Sequence, residues 1–278
     1  MPELDDLYKS IYKKVKHKKN VLYHYTGIDK LKSIIENNQL WITDKEYLND
    51  VYENSYPEKM FLKIIHKLEI DYKKKNYLKK YLCIPQYVFS LSTEFDLANQ
   101  WLNYGKQEGC CIEFIKSDLV DYFKFGGNNI IIDGKVLYLN VEVRQLITEI
   151  LEYIYKNDFL QRWNLSNLFE SEKYAELVSM LFSLIKQSYY KCEFEYRLCV
   201  LFYRHAGPIY TRVDKNMLTP YIKIPDYSIE DNIRKLPIKR IIIGPTNKDP
   251  MFRKTLRQFL DANNYSNVKI TQSNLKIR

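Results

Sequence analysis

Two glutamates, Glu193 and Glu195, stand just before an apolar stretch, residues 198–202, that is typical of a buried strand. If the strand begins at Glu193, its two-residue period places both carboxylates on one face. Like charges on one face raise the pKa of at least one carboxyl group unless cations or hydrogen bonds compensate. Two interpretations follow: a site that uses carboxylate chemistry, or a structural ion pair between Glu195 and Arg197 on the same face.

The first half of the chain supplies strands and short helices. The apolar spacing of residues 4–15 predicts an amphipathic helix, so that residues 1–20 form a helical extension. A strand at 21–25 follows, and Thr26 is expected to cap the next helix. Further strands are predicted at 40–43, 87–92 and 110–114, with a turn at Asn49-Asp50, a helical segment over about 58–80 and a short helix through Trp101.

The second half mixes the two kinds of element less regularly. The Asp133-Gly134 pair predicts a hairpin between residues 130–132 and 136–139. Residues 141–188 have a helical pattern and form an inserted helical block. Strands at 221–224, 240–243 and 268–270 and a helix near 249–263 complete the chain. This uneven order predicts a single α+β domain over residues 1–278.

Composition restricts the compartment and the partners. The chain has 278 residues, 46% of them hydrophobic, and no apolar run long enough to span a membrane, so we predict a cytoplasmic protein without a membrane partner. Five cysteines without C-x-x-C spacing and four scattered histidines indicate neither a disulfide scaffold nor a metal site. The net charge of +9, with basic runs at 13–19 and 73–75, suits nucleic acid, although a lysine-rich solvated surface has the same composition.

Four segments occur in an informative order: Tyr-His-Tyr-Thr at 23–26, Phe-Ser-Leu-Ser at 89–92, residues 101–114, and Glu-Phe-Glu-Tyr-Arg at 193–197. With Asn49-Asp50 between the first two and Ile-Ile-Ile-Gly-Pro at 241–245, this order resembles the bacterial domain-of-unknown-function family 2971 over roughly residues 21–250. That family in turn resembles the ADP-ribosyltransferase superfamily. The resemblance implies a split, mixed or antiparallel β-sheet with a His or Arg, a Ser/Thr or Tyr, and a Glu on three strands.

The resemblance also implies residues that bind and cleave NAD. Glu195 would be the catalytic carboxylate, Glu193 its auxiliary, and His24 a contact to the nicotinamide-side ribose or the nicotinamide amide. Either Ser90 or Ser92 would occupy the second motif. The other residues expected to bind the cofactor are Tyr25, Thr26, Trp101, Tyr104 and Arg197.

Among these, the rings of Tyr25, Trp101 and Tyr104 would stack on nicotinamide. Arg197 would either keep Glu195 ionised or hold a cofactor phosphate. Without the resemblance, each residue also has a structural interpretation, as a core ring, a strand-end serine or a surface charge.

The function that the resemblance implies is the transfer of ADP-ribose from NAD to nucleic acid or protein. The protein would act as a bacterial toxin or an anti-phage defence effector, a role that allows an antitoxin or an inhibitory protein as partner. With water as acceptor it would be an NAD glycohydrolase. Two other classes stay open: a non-catalytic, basic nucleic-acid-binding module, and a metal-dependent nuclease built on Glu193 and Glu195, for which no accompanying Asp/His cluster is evident.

Overall fold

The computed structural model describes residues 4–48, 86–124, 130–156, 182–201, 208–214, 216–226 and 234–276, and the helical positions 59, 62–63 and 66–67. Two 3-10 helices lie at Lys45–Tyr47 and Ser188–Glu193. The α-helices are α1 (Leu4–Val15), α2 (Ile28–Asn37), α3 (Ala98–Asn103), α4 (Lys116–Lys124), α5 (Val141–Lys156) and α6 (Pro250–Ala262). The strands are β1 (Val21–Thr26), β2 (Leu40–Asp44), β3 (Gln86–Ser92), β4 (Cys110–Ile115), β5 (Ile130–Lys135), β6 (Leu137–Tyr138), β7 (Ile185–Lys186), β8 (Glu195–Leu201), β9 (Tyr210–Asp214), β10 (Met217–Ile224), β11 (Ile238–Ile243) and β12 (Lys269–Gln272).

One large sheet organises the described strands. Its order is β12-β11-β4-β1-β3-β2-β10-β9, and β8 pairs with β3 and with β5. The β11–β12 pair is parallel, whereas the other pairs of this sheet are antiparallel. Strands β6 and β7 form a separate parallel pair. The expected α+β class with a mixed, mostly antiparallel sheet is therefore confirmed.

The sheet splits along one edge of β3. On its other edge, β3 pairs with β8 over its whole length. On the split edge, Ser92 pairs with Tyr23 of β1, and Val88 pairs with Thr43 of β2. Residues 89–91 therefore have no strand partner there among the described residues, and β1 and β2 diverge around this gap. Helix α2 connects the two diverging strands.

Apolar side chains hold the helices on the sheet. Helix α2 buries Leu31 and Ile35, and α6 buries Leu256 and Leu260, each pair at the four-residue spacing of one helix face. These residues join the main core formed by the inward side chains of the strands. A second, smaller core cluster contains Tyr23, Tyr25, Trp101, Cys111 and Ile242.

The predicted hairpin at Asp133-Gly134 is wrong. Residues 130–135 form one strand, β5, in which both of these residues pair with β8. The Tyr196 hydroxyl donates to the Asp133 carboxylate. A Cβ at Gly134 would lie 2.8 Å from the Cβ of Val15, so the glycine allows α1 to approach the strand closely. A side-chain hydrogen bond and a close helix contact, rather than a turn, explain this dipeptide.

Two further boundaries differ from the sequence prediction. Thr26 does not cap α2, because it is the last residue of β1 and pairs with Cys110, while Gly27 takes the N-cap position. The predicted helical block 141–188 contains α5, but its end forms strand β7 and the start of a 3-10 helix. The reason is tertiary: β7 pairs with β6, which overrides the helical spacing of the apolar residues.

The other predicted elements are confirmed where they are described. These are the opening helix, the strands at 21–25, 40–43, 87–92, 110–114, 221–224, 240–243 and 268–270, and the helices through Trp101 and near 249–263. Strand β9 was not predicted. The Asn49-Asp50 turn, residues 73–75, residues 157–181 and most of the 58–80 segment lie outside the described residues.

Candidate active site

A cleft of about 800 Å³ opens at the split in the sheet. Its lining comes from β1, β2 and β3, from α2, from α3 and the residue after it, from the 3-10 helix before β8, and from residues of β7, β8 and β9. His24 bridges the split, because its Nδ1 donates to the main-chain carbonyl of Ser90 at 3.2 Å. A side chain of β1 thus bonds to the edge of β3 where strand pairing is interrupted.

His24 is a neutral acceptor in this cleft. Burial lowers its pKa from 6.5 to about 4, against the opposing effect of the hydrogen bond to Ser90. Its ring packs on Phe89 with the centroids 4.6 Å apart. Since a carbonyl can only accept, Nδ1 carries the proton, and the uncharged ring has Nε2 as an acceptor at neutral pH.

Glu193 and Glu195 meet at Lys186, although not through the predicted strand period. Glu193 ends the 3-10 helix, Phe194 has a left-handed φ of 47°, and β8 begins only at Glu195. The two-residue strand argument is therefore wrong, because a turn separates the carboxylates. Lys186 Nζ donates to Glu193 Oε2 at 2.7 Å and to Glu195 Oε2 at 3.0 Å. All three side chains are more than nine-tenths buried.

Arg197 holds Glu195 from the other side. Its Nε donates to Glu195 Oε1 at 2.8 Å, its Nη2 donates to Oε2 at 3.1 Å, and its Nη1 donates to the Ser183 carbonyl at 2.8 Å. The expected Glu195–Arg197 ion pair is therefore present, in the bidentate form that fixes a carboxylate most firmly. Arg197 has 0% exposed surface, so its position fits support of Glu195 and does not fit the predicted contact with a cofactor phosphate.

The four charged groups compensate one another, since the cluster contains two carboxylates and two cations. Burial raises the pKa of Glu195 above 4.5, and the Lys186 charge and a hydrogen bond from Ser90 act against this rise. Burial alone would lower the pKa of Lys186, but the charges of Glu195 and Glu193 outweigh it and raise that pKa above 10.5. Lys186 is therefore a cation at neutral pH, and two cations favour an ionised Glu195.

The two serines of β3 have different positions. Ser90 is exposed and lines the cleft, and its side chain acts to lower the pKa of Glu195. Ser92 is fully buried, and its hydroxyl donates to the Glu193 carbonyl at 3.0 Å. Of the two alternatives, only Ser90 lies where it can contact a molecule in the cleft, whereas Ser92 fixes the backbone next to the carboxylates.

Of the three rings expected to stack on nicotinamide, one presents itself to the cleft. Tyr104 is 36% exposed, lines the cleft and donates through its hydroxyl to Glu193 Oε1 at 3.3 Å. Trp101 is fully buried. Tyr25 borders the cleft, but its ring packs edge-on against the Trp101 ring, with the centroids 5.0 Å apart. Those two rings serve the smaller core cluster, and their position does not fit a stacking role.

Thr26 borders the cleft at the end of β1 and is 2% exposed. Its hydroxyl has no hydrogen-bond partner among the described residues. A buried hydroxyl without a partner is unfavourable, so a ligand atom at this end of the cleft would satisfy it. The position is compatible with the predicted contact to a cofactor.

Among the residues that line the cleft and that sequence reasoning missed are Lys186, Trp41 and Arg212. Lys186 fell in a stretch with helical spacing, so its place beside the glutamates was not visible. One signal in the sequence could have pointed to a lysine such as Lys186. If Glu193 and Glu195 are both buried beside the single Arg197, their charges require a second cation. Trp41 lies on a predicted strand and Arg212 on an unpredicted one, and nothing in their spacing relates them to the glutamates.

The described residues were also compared with the requirements of a metal site, a membrane-spanning helix and a basic surface. In the part of the chain that the structure describes, no group of three or more His, Cys, Asp and Glu side chains could hold a metal ion. None of the described helices is long and apolar enough to cross a membrane. The lysines of the 13–19 run are exposed at and beyond the end of α1.

The fold and the cleft define an α+β protein with a split sheet, in which a buried, charge-compensated carboxylate pair borders a cavity. Residues 100–198 match the model of a family described as a protein of unknown function, DUF2971. The match supports the resemblance to that family and includes Tyr104, Lys186 and both glutamates of the cluster, but neither His24 nor Ser90. Searches of curated proteins and of solved structures found no match.

Proposed function

We propose that the protein is an NAD-dependent ADP-ribosyltransferase that modifies a macromolecule, either nucleic acid or protein. The observation that carries this proposal is the convergence of three separated motifs on one cleft: His24 on β1, Ser90 on β3, and Glu193 with Glu195 before and at the start of β8. The cleft volume of about 800 Å³ lies within the range of about 300–1,000 Å³ that is usual for small-molecule sites.

Glu195 has the properties that the reaction requires. Cleavage of the bond between nicotinamide and ribose develops positive charge at the ribose C1′, and the bonding electron pair leaves with nicotinamide. A fixed carboxylate that accepts a hydrogen bond from the ribose 2′-hydroxyl stabilises this charge more in the transition state than in the ground state. Lys186 and Arg197 hold Glu195 in a single orientation, so little reorganisation is needed during the reaction.

His24 and Tyr104 would position the nicotinamide half of NAD. The neutral His24 ring can accept through Nε2 from a ribose hydroxyl or from the nicotinamide amide. Tyr104 offers an exposed ring beside the carboxylates, and its hydroxyl is directed by the bond to Glu193. These contacts would hold C1′ near Glu195 and provide the orientation on which such a displacement depends.

Glu193 is the candidate general base that takes the proton of the acceptor. As the acceptor oxygen or nitrogen bonds to C1′, it releases a proton, which the Glu193 carboxylate would take. General bases of this kind contribute typically about a hundredfold or more to the rate. Among the described residues, its Oε1 receives only the 3.3 Å bond from Tyr104, which is longer than the 2.7 Å bond from Lys186 to Oε2. Oε1 is therefore the oxygen that we assign to the acceptor.

The cellular role that we propose, a toxin or an anti-phage defence effector restrained by an antitoxin or an inhibitory protein, rests on the resemblance to ADP-ribosyltransferases alone. The activity itself is tested by incubating the purified chain with NAD labelled separately in nicotinamide and in adenine, together with a cell lysate. We expect nicotinamide release and transfer of the adenine label to a macromolecule. Release without transfer would identify an NAD glycohydrolase. If nicotinamide is not released and no label is transferred, both enzyme assignments are overturned.

A further inference from the structure

We propose that the part of the cleft formed by Trp41, Thr43 and Arg212, here called the aromatic end, binds a nucleotide, with the base stacked on Trp41 and a phosphate bound by Arg212. The inference deepens the proposed function, on which it rests for the nature of the cofactor and of the acceptor. All three residues line the same cleft as the carboxylate cluster.

Strands β2, β10 and β9 build this end from stacked rings. Trp41 stacks on Tyr221 with the centroids 4.6 Å apart and the planes at 23°, and Tyr221 stacks on Tyr210 at 5.6 Å and 29°. Register explains the stack, because Tyr221 pairs directly with Tyr210 and with Thr43, on the same face as Trp41. Lys223 Nζ lies 4.0 Å from the centre of the Tyr210 ring.

The three rings differ in exposure, and this separates a binding surface from a merely structural ladder. Tyr221 is 5% exposed, as expected of a ring that stabilises a cross-strand pair. Trp41, at the cleft side of the stack, is 37% exposed. An indole supported on Tyr221 and open to a cavity is a suitable platform for a base, since stacking on an aromatic ring needs one free face.

Arg212 supplies the charge at the same end. Its Nη2 donates to Thr43 Oγ1 at 2.8 Å, and its guanidinium lies 5.5 Å from the centre of the Tyr221 ring. Burial lowers the pKa of Arg212, against the charge of Asp214, but an arginine remains a cation at neutral pH. A guanidinium has five N–H donors, so one bond to a neutral hydroxyl leaves its fork able to bind two phosphate oxygens.

Two sources could supply a stacked base with a phosphate: the adenosine diphosphate half of NAD, or a nucleotide of a nucleic-acid acceptor. Binding of ADP and of a fluorescein-labelled single-stranded oligodeoxynucleotide to the full chain distinguishes them, because neither measurement requires NAD cleavage. The variants are Trp41→Ala and Arg212→Gln, with Trp41→Phe as a ring-retaining control. Lys254→Gln, an exposed charge on α6, controls for the loss of net charge.

We expect Trp41→Ala and Arg212→Gln each to weaken binding about tenfold or more, and the two controls to change it less than about threefold. If ADP binding shows this pattern, the aromatic end holds the cofactor. If oligonucleotide binding shows it in the presence of saturating ADP, the aromatic end holds the acceptor. Either pattern supports the inference, provided that circular dichroism melting shows each variant folded.

The inference is overturned if neither probe binds, or if the folded Trp41→Ala and Arg212→Gln variants bind both probes as tightly as the unchanged chain. Failure of the proposed function has a different signature: the expected binding pattern with no nicotinamide release. Conversely, nicotinamide release that is insensitive to Trp41 and Arg212, without the binding pattern, would remove this site and leave the carboxylate chemistry in place.

Discussion

The ammonium group of Lys186 lies 3.0 Å from Glu195 Oε2, and both side chains are only 6% exposed. Burying two charges is unfavourable unless their mutual attraction and further hydrogen bonds compensate, and here Arg197 and Glu193 provide those bonds. An apolar pair would fill this volume without that desolvation cost. A charge cluster of this kind beside a cleft is therefore better explained by the need for a fixed carboxylate than by stability.

Removal of the Lys186 ammonium group should strongly destabilise the folded protein. We expect Lys186→Met to lower the free energy of unfolding by about 3–5 kcal/mol, because it leaves two carboxylates with one buried cation. Urea unfolding at pH 7 measures the change. In the matched control Lys32→Met, which breaks the exposed Lys32–Glu36 pair, the change should stay below about 1 kcal/mol. Equal effects of the two substitutions would contradict the cluster.

The same substitution should alter the pH dependence of activity. Without Lys186, the pKa of Glu195 should rise further, because burial and Glu193 already raise it and the opposing cation is lost. The acidic limb of the pH–rate profile should therefore move to higher pH, and Lys186→Arg should restore its position. An unshifted limb in a folded Lys186→Met variant would show that Lys186 does not control the ionisation of Glu195.

Titration of His24 should make the free energy of unfolding depend on pH. Its pKa is lowered from 6.5 to about 4 in the folded protein, so the folded state binds fewer protons than the unfolded state between these values. The resulting contribution to stability is present above pH 6.5, falls as the pH drops, and is lost below about pH 4. His24→Gln, whose amide can still donate to Ser90, should lack this dependence.

The measurement is the difference in the free energy of unfolding between the unchanged chain and His24→Gln, taken at intervals from pH 7 to pH 4. We expect the difference to change steadily in favour of the glutamine variant as the pH falls. A difference that stays constant over this range would show that His24 titrates as it does in the unfolded chain.

Gly134 tests the contact between α1 and β5. Gly134→Ala places a Cβ 2.8 Å from Val15 Cβ and 3.0 Å from Leu184 Cδ1, both in the packed interior, so we expect a loss of about 1–3 kcal/mol in thermal or urea unfolding. Gly27→Ala is the matched control. Its Cβ would meet the end of the flexible Asp29 side chain at 2.6 Å, which can move away, so the loss should be less than about 1 kcal/mol. The reverse order would contradict the packing of α1.

The predictable part of the fold is the part with strong local periodicity. The opening helix, β1, β4 and α6 follow from the spacing of their apolar residues. The Asp133-Gly134 dipeptide predicted a turn, but Asp133 accepts a hydrogen bond from Tyr196 and Gly134 makes room for Val15. Both partners are remote in sequence. Local turn chemistry cannot reveal such contacts.

The site shows the same limit. The approach of Glu193 and Glu195 was expected, but it arises from the turn at Phe194 and from Lys186, and both depend on the pairing of β7 with β6 and of β8 with β3. The aromatic end is less predictable still, because β2 is joined to the β9–β10 pair, which is remote from it in sequence, only by tertiary pairing. Motif order identified candidates on single strands, and the split in the sheet determines which of them share a cleft.

The most direct test of the central claim is the rate at which the purified chain releases nicotinamide from labelled NAD, compared with the rates of Glu195→Gln and of the exposed control Glu149→Gln. Glutamine keeps the size of Glu195 but removes the charge that would stabilise the transition state. We predict release by the unchanged chain and by Glu149→Gln, and a rate at least about a hundredfold lower for a folded Glu195→Gln. Equal rates for Glu195→Gln and the unchanged chain, or no release by any of the three, would contradict the account.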